Sequence, residues 1–170
     1  DLGWEIYVPI VHQLKLYEAL LNTGSDLKVR PVGSRSLLSL RVEKGYGSWG
    51  REYSPEYWPH EVGLDHLIKL DKPFFLGRNI YNELKKKPPR EKLVMLEVFT
   101  DLDADPVGGE PIFLEDGTPV GQVKSGAFSY TCNKSLALSM IRSDYASVKE
   151  TFDVAVIGRK TLAVMLDKPP

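Results

Sequence analysis

The chain has 170 residues, 42% of them hydrophobic and 26% charged, with a formal charge of -1, which is enough for one medium domain or two small ones sharing an interface. Such near-neutrality gives no electrostatic reason to expect a nucleic acid or an anionic membrane as partner. A single cysteine, Cys132, excludes an intrachain disulfide and a thiolate metal cluster, and no apolar stretch reaches the roughly 18 residues needed to span a bilayer.

Residues Trp4 to Val8 alternate apolar and polar and are rich in aromatic and β-branched types, so the pattern predicts a strand ended by Pro9. Because Asp1 already opens into that strand, further sequence is expected upstream. From His12 to Asn22 the apolar residues recur at helical spacing, and Gly24 offers a C-terminal cap. A second helix is expected from Ser34 to about Lys44, closed by Gly45. The turn-rich stretch from Tyr46 to Pro59 carries Tyr46, Trp49, Tyr53, Tyr57 and Trp58, too apolar for disorder, and should pack over something. Leu64 to Leu70 reads as a strand and Gly77 to Lys86 as a short helix. The run Lys85 to Lys87 followed by Pro88, Pro89 and Arg90 reads as a solvated linker and as the domain boundary.

Beyond it the texture changes to short strands: Lys92 to Phe99, Glu110 to Leu114, and Val120 to Gly126, with Asp116-Gly117 as a hairpin turn needing positive φ. Ser135 to Ile141 fits strand or helix. Phe152 to Ile157 and Thr161 to Leu166 form a last hairpin around Gly158, Arg159 and Lys160. This succession predicts an α+β chain ending in a small antiparallel barrel, with domains at 1–88 and 89–170.

The residues alone leave the chemistry open. The histidines His12, His60 and His66 have no metal-ligand spacing, no glycine fingerprint for a dinucleotide opens a helix, and Gly-Gln-Val-Lys-Ser-Gly (121 to 126) lacks phosphate-loop spacing. Cys132 reads as an inert turn residue. Glu5, with Tyr7 on its side of the pleat, is either an outward-facing strand glutamate or a carboxylate in an aromatic pocket, accepting two hydrogen bonds from a ligand edge with adjacent N-H donors. Glu43, beside Arg41 and Lys44, has the same two readings, of which a solvated or salt-bridged residue is favoured. Trp49, Tyr53 and Trp58 either stack on a flat ligand or cover the core.

Several stretches together carry a resemblance. Leu-Gly-Trp-Glu-Ile-Tyr-Val-Pro (2 to 9), Ser-Leu-Arg-Val-Glu-Lys-Gly-Tyr-Gly-Ser-Trp-Gly (39 to 50), Glu-Val-Gly-Leu (61 to 64), Phe-Leu-Gly-Arg (75 to 78), Gly-Gly-Glu-Pro-Ile (108 to 112), Val-Gly-Gln-Val-Lys-Ser-Gly (120 to 126) and Asn-Lys-Ser-Leu-Ala-Leu (133 to 138) follow one another as in the C-terminal part of the glycine-cleavage T-protein, or aminomethyltransferase, superfamily. The version at 43 to 50 is more similar to the folate-linked dimethylglycine and sarcosine dehydrogenases. Ser36-Leu37-Leu38 stands where T-proteins carry Ala-Arg-Asp, so a folate contact by that arginine is missing or replaced, with Arg35 the nearby substitute.

The resemblance implies a tetrahydrofolate site in a channel shared by three subdomains, with Glu5 as the pterin-orienting carboxylate and Trp4, Tyr7 and Trp49 as weaker channel-lining candidates. It implies capture of the carbon of an oxidised N-methyl amine as 5,10-methylenetetrahydrofolate. The oxidation belongs to FAD in an upstream domain, and a reactive-site aspartate and tyrosine also lie upstream, so no catalytic residue and no metal ligand is assigned and the chain is not competent alone. Its partners would be folate and the rest of the same protein, in a bacterial cytoplasm or a mitochondrial matrix. The alternatives are a stand-alone aminomethyltransferase of the glycine cleavage system, or a non-catalytic folate-binding scaffold.

Overall fold

The computed structural model describes residues 3–101, 104–147 and 150–170. Two compact units are present, Asp1–Ser34 and Arg35–Pro170.

In the first unit, a short 3-10 turn at Ile10–His12 leads into α1, Gln13–Thr23. Gly24 caps the helix, its N-H reaching the carbonyl of Leu20 at 2.9 Å. Glycine is required there by space, because a Cβ would stand 2.4 Å from Cγ2 of Val29. The strand expected from Trp4 to Val8 is not formed: these residues carry no ladder and no regular structure. A strand is a pairing, and alternation supplies only one side of it. Among the described residues, none pairs with this segment.

The second unit is dominated by six strands: β1, Glu91–Val98; β2, Pro111–Phe113; β3, Pro119–Ser129; β4, Lys134–Arg142; β5, Thr151–Val156; and β6, Arg159–Leu166. All pair antiparallel and close into a barrel in the order β1-β4-β3-β2-β5-β6. Closure removes every unpaired edge. The interior is filled by Leu96, Val98, Ile112, Val123, Phe152 and Val154 with their neighbours.

On the outer face, α2 (Ser34–Glu43) contributes Val42 to a second cluster with Met95, Ala127, Leu136 and Leu138. Strand β4 is thus buried on both faces over most of its length, which is why its middle is mostly apolar and carries no clear period. Gly45, at φ 72, ends α2 as expected, its N-H and that of Tyr46 returning to the carbonyls of Val42 and Arg41. A third helix, α3, spans Arg78–Leu84.

Leu64 to Leu70 is not a strand: Asp65–Leu67 forms a single 3-10 turn. The apolar run is too short for its period to decide between the two. The hairpin turns are as the sequence predicts at Gly117, φ 87, where Thr118 N-H also bonds Asp116 at 2.8 Å. In the last hairpin Val156 pairs with Arg159, so the turn is Ile157-Gly158 and both Arg159 and Lys160 belong to β6. Ile157 adopts φ 49 and Gly158 φ 73, a conformation that suits Asn-Gly and strains a β-branched residue. Ile157 is 70% exposed, so little packing opposes its replacement. Ile157→Asn is expected to stabilise the chain by about 0.5–1 kcal/mol, read as a higher urea midpoint; an unchanged or lower midpoint would contradict the strain.

Candidate functional site

In the first unit the extended segment carries its side chains outward. Trp4 is 86% and Tyr7 87% exposed. Residues 5 and 7 share a side of an extended chain, and the Tyr7 hydroxyl donates to Oε2 of Glu5 at 2.5 Å. That bond to a carboxylate raises the Tyr7 hydroxyl above its ordinary range, with burial adding to it. The clasp leaves Oε1 of Glu5 open. No further partner of Glu5 is present among the described residues.

Trp49 stands in the second unit, 80% exposed, in a bridge with Tyr53. The aromatic loop around it is pinned by buried charge that its sequence did not advertise. Glu52 is fully buried; its Oε2 accepts from Arg41 Nη1 at 3.1 Å and from Ser48 N at 2.8 Å. Arg41 extends the tie with Nη1 to the Tyr46 carbonyl at 2.7 Å and Nη2 to Ser125 Oγ at 2.8 Å. A second buried carboxylate, Glu61, accepts from Trp58 N and from Arg90 through N, Nε and Nη2. Burial pushes the Glu61 carboxyl up, but these donors outweigh it and hold it down to about 2. The guanidinium of Arg90 also lies 4.3 Å over the Trp58 ring. Trp58 therefore serves this anchor.

Glu43 is half-buried and has no ion-pair partner among the described residues. Its Oε2 accepts the Ser129 hydroxyl at 2.6 Å; this bond, with weaker ones from Thr131, lowers its carboxyl against the opposing effect of burial. One turn earlier Ser39 donates to the Phe128 carbonyl at 2.5 Å. Through these contacts α2 lies against β3, and beside them opens a cleft of about 1530 Å³. Arg35, Glu43, Arg51, Glu97, Asp105 and Lys124 face it. Only Arg35 and Glu43, both on α2, stood out in the sequence; the others come from separate segments that the fold brings to one place.

Three comparisons with known proteins bear on these units. The family model described as the GCVT N-terminal domain matches residues 1–72, and the one described as the glycine cleavage T-protein C-terminal barrel domain matches residues 91–170. Mitochondrial dimethylglycine dehydrogenase from Homo sapiens is 34% identical over 170 residues, covering 99% of this chain and 19% of that protein. An aminomethyltransferase from Desulfitobacterium hafniense is 34% identical over 161 residues, covering 95% of this chain and 43% of that protein. The crystal structure of the glycine cleavage system aminomethyltransferase T from Bartonella henselae superposes with a TM-score of 0.82 at 25% identity, over 95% of this chain and 44% of that one. The chain thus spans about a fifth of the dehydrogenase and under half of the aminomethyltransferases. Two consecutive domains of one family, in order, account for nearly all of its length: the chain belongs to the glycine-cleavage T-protein, or aminomethyltransferase, family.

Proposed function

We propose that the chain is the tetrahydrofolate-facing part of a one-carbon transfer enzyme of the dimethylglycine and sarcosine dehydrogenase type. The observation that carries this reading is the Tyr7-Glu5 clasp, formed at the position where family resemblance puts the pterin-orienting carboxylate. The residues present fit such a ligand. A carboxylate with one oxygen held and the other open can accept from an amino group and a ring N-H side by side. The exposed faces of Trp4 and Tyr7 suit a flat ring. Bound, tetrahydrofolate supplies the nitrogens that take up a one-carbon unit as 5,10-methylenetetrahydrofolate. Glu5 then orients the ring, Tyr7 fixes the rotamer of Glu5, and Trp4 excludes water, which is a contribution of positioning rather than covalent catalysis.

The oxidation of the amine, in this reading, belongs to FAD in another part of the protein. The compartment follows that of such enzymes, a bacterial cytoplasm or a mitochondrial matrix. No helix among the described residues is long and apolar enough to cross a membrane. An aminomethyltransferase without a flavin domain is favoured equally by the 34% identity to the Desulfitobacterium protein, and the flavin content of the full-length protein separates the two.

The test is calorimetric binding of reduced folate to the full-length protein and to its Glu5→Ala and Tyr7→Phe variants. Glu5→Ala is expected to lose about 1.5–3 kcal/mol, as for a charge-assisted site, and Tyr7→Phe about 1 kcal/mol. Equal binding by wild type and Glu5→Ala would sink the assignment. Absence of binding in every form would favour a non-catalytic scaffold.

A further inference from the structure

At one rim of the barrel a turn is held by a carboxylate rather than by burial. Val107 to Glu110 form a β-turn, the N-H of Glu110 returning to the Val107 carbonyl at 3.3 Å. Gly109, its third residue, sits at φ 97, where only glycine is at ease. Val107, Gly108 and Gly109 are exposed, between the buried Pro106 and the start of β2. The N-H of Gly109 donates to the Val123 carbonyl on β3 at 2.8 Å. The side chain of Glu110 supplies the other ties: Oε2 accepts from Val107 N-H and Oε1 from Ile157 N-H, both at 2.9 Å.

The second prong of that carboxylate reaches a position that is unusual in its own right. Ile157 heads the two-residue turn of the last hairpin at φ 49, a costly conformation for a β-branched residue. Val156 pairs with Arg159, so the ladder offers the Ile157 N-H no acceptor, and Glu110 provides one across |i−j|=47. The β2-β5 ladder runs only as far as Ile112 and Val154 at this end. Beyond it, the clasp of Glu110 is what joins the two turns. Both turns line the cleft beside α2.

We propose that Val107–Gly109 is a flap that opens and closes together with the Ile157 turn, and that Glu110 is its latch. Closed, the flap lies flat on β3: a Cβ on Gly108 would stand 2.7 Å from the Lys124 carbonyl oxygen. Opening breaks the hydrogen bonds of the Val107, Gly109 and Ile157 amides in one event, and lets Ile157 leave its strained conformation. Two adjacent glycines give the backbone the freedom to do so. The barrel ladders stay intact, because a segment with exposed hydrogen bonds and little apolar burial opens well below the cost of global unfolding. Glu110 is a positioning residue, acting through the two turns it holds. The inference concerns the second unit alone and stands whatever ligand the protein takes.

The test is residue-resolved hydrogen exchange of the full-length protein, comparing wild type with Glu110→Ala, Glu110→Gln and Ile157→Asn. In wild type the amides of Val107, Gly109 and Ile157 are expected to share one protection, lower than that of the amides in β1 and β4. In Glu110→Ala all three should exchange roughly tenfold faster or more, with β1 and β4 unchanged. Gly109 decides the matter. Its own bond goes to Val123, so a purely local loss of two hydrogen bonds would speed Val107 and Ile157 and leave Gly109 alone. Glu110→Gln keeps one acceptor oxygen, is expected to fall between, and carries the comparison if the alanine variant fails to fold. Ile157→Asn keeps the N-H while easing the strain, so the three amides should stay at least as protected as in wild type. An unmoved Gly109, three unequal or absent protections in wild type, or equal acceleration throughout the barrel would overturn the proposal.

Discussion

Glu61→Ala is expected to cost about 2–4 kcal/mol of stability, the range for removing one partner of a buried ion pair, tempered because Arg90 is half in solvent. Four donors converge on this carboxylate, from Trp58 N, Arg90 N, and Nε and Nη2 of the Arg90 side chain, at 2.7 to 2.9 Å, and Glu61 is only 2% exposed. Without it, two backbone N-H groups and a guanidinium lose their acceptor. The effect carries a pH signature. The carboxyl is held down to about 2 in the folded chain against an ordinary value of 4.5, so a folded pKa below the unfolded one means stability fully present above about 4.5. It is lost as the pH falls through 4.5 toward 2, and amounts to roughly 3 kcal/mol before screening. Denaturant unfolding of wild type and Glu61→Gln at pH 7 and at pH 3 should therefore show a large gap that narrows with acid. A gap independent of pH would mean that the carboxylate's charge is not what anchors the loop.

The same pair shows where sequence reading stops. Lys85 to Arg90 has the composition of a solvated linker, and Arg90 is nonetheless tied back through Glu61 and the Glu56 carbonyl. The tie spans |i−j|=29 for Glu61 and |i−j|=34 for Glu56, and no local pattern encodes a partner that far away. The barrel strands were legible because alternation and the turn residues Gly117 and Gly158 are local signals. β4 was ambiguous because burial on both faces erases the alternation. The error at Trp4 to Val8 is of another kind: its pattern is that of a strand, but no neighbour among the described residues pairs with it. Glu5 and Tyr7 were legible as a pair because two residues on an extended segment meet without help from the fold. Arg51, Lys124 and Asp105 were not, since two come from loops and one from β3, and only the folded barrel brings them to one cleft.

Gly126→Ala is expected to be among the most costly single changes, and for a reason opposite to the one its motif suggests. Gly-Gln-Val-Lys-Ser-Gly resembles a ligand-cradling loop in composition, yet both glycines lie in β3. A Cβ on Gly126 would stand 2.0 Å from the carbonyl oxygen and 2.7 Å from the carbonyl carbon of Pro106, and one on Gly121 would stand 2.1 Å from that of Met140. Neither obstacle is a side chain that can swing away; each is backbone. Gly126 sits where another segment crosses the strand at close range, and alanine must displace that segment or loosen the pairing of Gly126 with Ala137 on β4. We expect a loss of roughly 3 kcal/mol and a Tm lower by roughly 10 °C. Gly33→Ala, with nothing within 4 Å of the added carbon, should stay within about 0.5 kcal/mol of wild type. If the two variants unfold at the same denaturant concentration, the close approach is not a constraint on this barrel, and the glycines would have to be explained by what binds near them. If they separate as expected, the spacing of Gly121 and Gly126 is set by the barrel's own backbone.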